Sequence, residues 1–89
     1  MAKTKPLTRG ERAWLIEVQA VLNRCPSNRI GFYTVGDSFL GLHDATREVD
    51  IGIELDKNGG EWCSAAERLN ADFGGEVIYF PNAVHSTAG

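Results

Sequence analysis

The chain predicts an α+β fold in the order helix-β-β-β-helix-β, with a mixed four-stranded sheet and both helices packed on one face. Three observations carry this. Two stretches repeat apolar residues at helical spacing, residues 48–55 alternate apolar with polar, and Gly, Asp, Ser and Pro punctuate the joins.

Residues 1–7 read as a loose arm, 8–81 as a single domain and 82–89 as a frayed tail of small residues. Thr8 with Glu11 three residues later forms a capping box, so a helix starts at Thr8. Trp14, Val18, Val21, Leu22 and Cys25 fall on one side of it, with Leu15 beside them. Pro26 lacks an amide donor and drives the preceding residue out of helical space, which ends the helix near Asn23 or Arg24. Residues 30–35 are rich in aromatic and β-branched side chains and predict a first strand. Gly36, Asp37 and Ser38 then turn the chain into a second strand at 39–43.

In the 48–55 stretch Val49, Ile51, Ile53 and Leu55 alternate with Glu48, Asp50, Gly52 and Glu54, which predicts a third strand with one dry and one wet face. A four-residue loop before it pairs His43 with Glu48, Leu42 with Val49 and Leu40 with Ile51, so apolar residues meet across one face. Asn58 with Glu61 predicts the cap of a second helix, whose stripe is Trp62, Ala65, Ala66, Leu69 and Phe73. Gly74 and Gly75 suit its left-handed end, and 76–80 forms a last strand parallel to the third. One helix on each face is the rival arrangement. It requires both faces of the third strand to be apolar, against Asp50 and Glu54.

At 89 residues the chain is long enough for one modest core. No apolar run approaches the roughly 18 residues that cross a bilayer, and the start carries no apolar signal segment, so a cytoplasmic protein without membrane contact is expected. Cys25 and Cys63 are too few for a disulfide framework and read as reduced, half-buried filler. The net charge of −3 conceals a division: residues 1–29 balance at +4 and the remainder at −7. One end attracts anions and the other basic surfaces.

The wet sheet face is the candidate site. It gathers Tyr33, Phe39, His43, Glu48, Asp50 and Glu54, aromatics rimmed by carboxylates, a composition typical of protein interfaces. Bases also stack on such rings, but that binding needs positive charge to hold phosphates, and here the neighbours are acids. Nucleic-acid binding is the alternative through Lys3, Lys5, Arg9 and Arg12 of the arm and first helix. A second alternative is a small hydrolase-like enzyme around His43, Asp44 and Glu48, where a paired carboxylate would raise the imidazole pKa. No Gly-rich phosphate loop or serine elbow accompanies the cluster, so no catalytic residue, metal ligand or cofactor is assigned.

In the stretch Leu22-Asn23-Arg24-Cys25-Pro26 and Gly31-Phe32-Tyr33-Thr34-Val35-Gly36-Asp37 the chain resembles small accessory proteins of tailed bacteriophages and enterobacterial prophages. The resemblance implies a non-enzymatic module that binds, and in some cases inhibits, a host protein. It brings no site residues with it. The expected partner is a host protein with a basic surface, with a homodimer as a further expectation.

Overall fold

The computed structural model describes residues 4–85. Helix α1 (Arg9–Asn23) leads into strands β1 (Ile30–Tyr33) and β2 (Phe39–Asp44), a 3-10 turn (Ala45–Arg47), helices α2 (Glu48–Asn58) and α3 (Trp62–Arg68), and strand β3 (Val77–Tyr79). Met1 to Lys3 of the expected arm and the last four residues of the expected tail lie outside the described residues.

The first helix follows local chemistry. The Thr8 hydroxyl accepts from the Glu11 amide at 3.1 Å while the Glu11 carboxylate accepts from the Thr8 amide at 2.8 Å. This satisfies two amides that the first helical turn leaves without partners. The helix stops at Asn23, as Pro26 requires.

Among the described residues the sheet is antiparallel throughout, in the order β1-β2-β3, with three strands rather than four. Phe32 pairs with Leu42 and Tyr33 with Gly41, while on the other side Leu40 pairs with Ile78 and Gly41 with Val77. The expected third strand is helix α2. Its alternation also contains Ile51 and Leu55 at i, i+4 spacing, and this helical reading prevails. Ile51 is 0% exposed whereas Val49 is 76% and Ile53 50% exposed, so the four apolar residues do not share a dry face. Glu48 and Asp50 sit in the first turn and Lys57 in the last, matching the helix dipole. With 48–55 helical, the parallel crossover from it to the last strand is also overturned.

Asn58 ends α2 instead of capping the next helix, and Gly59 at φ 67° turns the chain at a conformation suited to glycine. Helix α3 begins at Trp62 with no side-chain cap and is shorter than its stripe predicted. Gly74 and Gly75 do have positive φ, but in a turn beyond the helix closed by the Gly75 amide donating to the Asp72 carbonyl at 3.0 Å.

The core lies between α2 and α3, where Ile51, Ala65, Ala66 and Ala71 are buried and Leu55, Trp62 and Leu69 pack against them. The alanines permit close approach of the two helices. Arg68 ties them, donating to Glu54 at 2.8 Å and to the Gly59 carbonyl at 3.2 Å. Arg47 donates to the Leu69 carbonyl at 2.8 Å, and the Asp44 amide donates to the Ala71 carbonyl at 2.7 Å, so the layer is fastened to the end of β2.

Helices sit on opposite faces of the sheet, the rival arrangement rather than the expected one. Trp62 of α3 meets His43 edge-on at a centroid distance of 5.3 Å. Val21, Leu22 and Cys25 border a groove with Ile30, Phe32, Leu42 and Ile78, side chains of the other parity along the strands. Both faces of β2 are apolar enough to be covered, because Gly41 and His43 form one and Leu40 and Leu42 the other.

Candidate protein-docking surface

The wet face expected from the sequence is not assembled. Glu48, Asp50 and Glu54 belong to α2, and the sheet residues Tyr33 and His43 face the helical layer rather than an open front. His43 is 3% exposed, and its Nε2 lies 2.7 Å from a Glu48 carboxylate oxygen. The sequence paired these two residues as strand neighbours. Their contact exists, but it links the end of a strand to the first turn of a helix. The Tyr33 ring lies over Gly41 and the His43 ring over Gly31, so two glycines leave the space that two rings occupy. Burial pushes the Tyr33 pKa up, with the nearby Cys63, Asp72 and Glu67 adding to the shift.

Phe39 and Tyr79 make an edge contact at 6.4 Å on the outer end of the sheet, apart from His43. Glu54 is held by Arg68 first and Asn58 second, and these bonds lower its pKa. Asp44 is likewise lowered, mainly by the Thr46 hydroxyl at 2.6 Å, and does not join His43 and Glu48 in a triad. Of the six residues grouped by the sequence, only His43 and Glu48 are hydrogen-bonded to each other. Among the described residues no three His, Cys, Asp or Glu side chains are close enough to hold a metal ion.

A different surface stands out. Helix α1 buries none of its residues. Its apolar stripe is open to water: Trp14 and Val21 are each 59% exposed, and Leu15, Val18 and Leu22 are exposed as well. The stripe continues onto the outer sheet face through Phe32, Ile78 and Phe80, all exposed. Two grooves run beside the helix. One of ≈ 430 Å³ is lined by Leu7, Glu11, Trp14, Leu15, Pro81 and Asn82. The other, of ≈ 180 Å³, lies at the far end between Val21, Leu22 and Cys25 and the sheet. Isolated exposed apolar side chains are ordinary, whereas neighbouring ones gathered on one face are the composition at which proteins commonly associate.

The sequence reading identified every member of the α1 stripe but assigned it to the core. The available signal was quantitative. Two striped helices and a two-sided sheet present more apolar faces than a domain this small can cover with its own layers.

The second surface of note is electrostatic. Glu48, Asp50, Asp56, Glu61 and Glu67 lie on or next to α2 and α3, opposite α1, and Val49 and Ile53 protrude among them. Comparison of the chain with family models, curated proteins and solved structures finds no match in any of the three.

Proposed function

We propose that this chain is a non-enzymatic protein-binding module of phage or prophage origin. It docks a protein on the apolar ridge of α1 and the adjoining outer sheet face, and works in the bacterial cytoplasm. The observation that carries the reading is that α1 presents Trp14, Leu15, Val18, Val21 and Leu22 to water on a helix with no buried residue. Removing such a surface from water is the dominant favourable term in association. Aromatic and aliphatic anchors of this kind supply most of the energy of interfaces. The acidic α2–α3 layer steers the module toward a host protein with a basic surface, as opposite fields accelerate encounter.

His43 supports this non-catalytic reading. A general base must reach the proton it takes, and this imidazole is enclosed by Gly31, Tyr33 and Trp62 with Nε2 engaged by Glu48. The test is a photoreactive phenylalanine analogue placed at Val21 of the whole chain in bacterial cells, with Ala13 on the reverse of α1 as the control position. Irradiation is expected to yield a protein adduct from position 21 and none from position 13. Absence of any adduct at 21 removes α1 as a docking surface.

A further inference from the structure

We infer that the occupant of the α1 face is a second copy of this chain, related by a two-fold axis that passes close to Val18. The inference rests on the reading of α1 as a docking surface and names what docks there.

Area and shape fit a large partner. The chain exposes 7238 Å². A compact protein of 9.7 kDa exposes about 5,100 Å². The radius of gyration is 16.5 Å, against about 12 Å for a compact chain of this length. The excess area, on the order of 2,000 Å², lies within the roughly 1,000–2,500 Å² per subunit that obligate homodimers bury. Among the described residues the buried apolar side chains are Ile51 and three alanines. The larger apolar side chains of α1 and the outer sheet face gain cover only when a second body arrives. A chain with so little internal core gains stability from association.

The pattern on α1 is also self-complementary. A two-fold axis brings each residue opposite the one equally far on the other side of the axis. About Val18, in an antiparallel helix pair, Trp14 meets Leu22 of the second copy, Leu15 meets Val21, and Val18 meets itself. Every central pairing is apolar, while Glu17 and Gln19 pair along the margin. The relief agrees. The broad groove beside Trp14 and the smaller one beside Leu22 lie toward opposite ends of the helix, so the protruding indole of each copy has a hollow opposite it. In the groove beside Trp14 the acid is Glu11, and its carboxylate already accepts from the Thr8 amide at 2.8 Å. The same arrangement leaves both acidic α2–α3 layers outward, available to a basic partner.

Sedimentation of the purified full chain tests the inference together with cysteine bridging. Val18→Cys and Ala13→Cys are each built into a chain carrying Cys25→Ser and Cys63→Ser, then treated with a short bis-maleimide. The expected results are a mass twice 9.7 kDa, near-complete covalent dimer through position 18 and none through position 13. Val18→Asp is expected to return the protein to monomers; should that variant fail to fold, the bridging result still decides. A monomeric protein whose Val21 photoadduct contains a different protein overturns the second copy and leaves the docking reading intact. A monomer without adducts overturns both, as does a monomer that binds anionic phospholipid vesicles with a blue shift of Trp14 emission. A dimer bridged equally well through positions 13 and 18 places the seam elsewhere and also overturns both.

Discussion

The imidazole of His43 lies over the backbone of Gly31, its register partner on the neighbouring strand, at a spot where any Cβ would collide with the ring's Nε2 and Cε1. This relationship holds the sheet and the helical layer together, because the same ring receives the edge of Trp62 and reaches Glu48 at the start of α2.

Gly31→Ala therefore forces the ring or the strand to move, and overpacking of this kind costs about 1–3 kcal/mol. Gly52→Ala is the contrasting case. Gly52 lies inside α2, and a Cβ there meets nothing within 4 Å. Replacing a glycine in a helix interior with alanine is expected to stabilise by about 0.5–1 kcal/mol. Urea unfolding of the two variants should displace the midpoint in opposite directions.

The carboxylate of Glu48 is the partner of an imidazole whose other nitrogen, Nδ1, is buried without a hydrogen bond in the chain. Glu48→Ala leaves both ring nitrogens unpaired, and an unsatisfied buried polar group costs about 1–3 kcal/mol. Glu48→Gln retains a partner of the same length and is expected to recover most of the loss. Equal destabilisation by the two substitutions would show that the pair contributes nothing as a hydrogen bond.

Ile51 is the largest side chain fully removed from water. Ile51→Ala empties the contact between α2 and α3, a change that costs about 2–5 kcal/mol in buried positions. Val49, two residues earlier and 76% exposed, should tolerate alanine within about 0.5 kcal/mol. Were the stretch a strand with all four apolar residues on one dry face, the two substitutions would cost alike.

The pH dependence has a definite sign at each end. Glu54 and Asp44 titrate below their ordinary values of 4.5 and 3.8 in the folded chain, so the unfolded chain binds protons first. Their contribution is complete above those values and is lost as pH falls through the depressed folded ones. Tyr33 titrates above its ordinary 10.0, so its contribution is complete below that value and is lost as pH rises through the higher folded one. Thermal melts across pH should show Glu54→Gln and Asp44→Asn flattening the acid limb and Tyr33→Phe flattening the alkaline limb. An acid limb unchanged by both carboxylate substitutions would contradict the assignment.

Legibility differed by element. The Thr8–Glu11 capping box and the Pro26 stop delimit α1 to within a residue at each end, because both signals act through adjacent backbone groups. Phe39 and the turn before it likewise mark β2, although the strand runs one residue further, to Asp44. The 48–55 stretch was ambiguous in a specific way. Eight residues with apolar side chains at every second position also satisfy i, i+4 at Ile51 and Leu55, and periodicity over so short a span does not separate the two. Acids in the first turn and Gly59 beyond the end favoured the helix, as did the close fit of Ile51 against Ala65 and Ala66. The site reading followed that assignment. With 48–55 helical, Asp50 and Glu54 leave the sheet, and Tyr33 and His43 face Trp62 instead of water.

By itself the sequence determined the ends of α1, the turn into β2 and which residues are apolar, since caps, prolines and glycines act within a few positions along the chain. It also determined the division between a basic first third and an acidic remainder. Tertiary structure alone decided which apolar stripe is covered. The stripes of α1 and α3 look equivalent in sequence, yet α3 is sealed against Ile51 and His43 while α1 is left to water. The reason is that burial depends on what lies opposite. On one sheet face the His43 and Tyr33 rings lie over Gly31 and Gly41 and His43 receives Trp62 of α3, whereas α1 runs beside the other face and leaves a groove at each end.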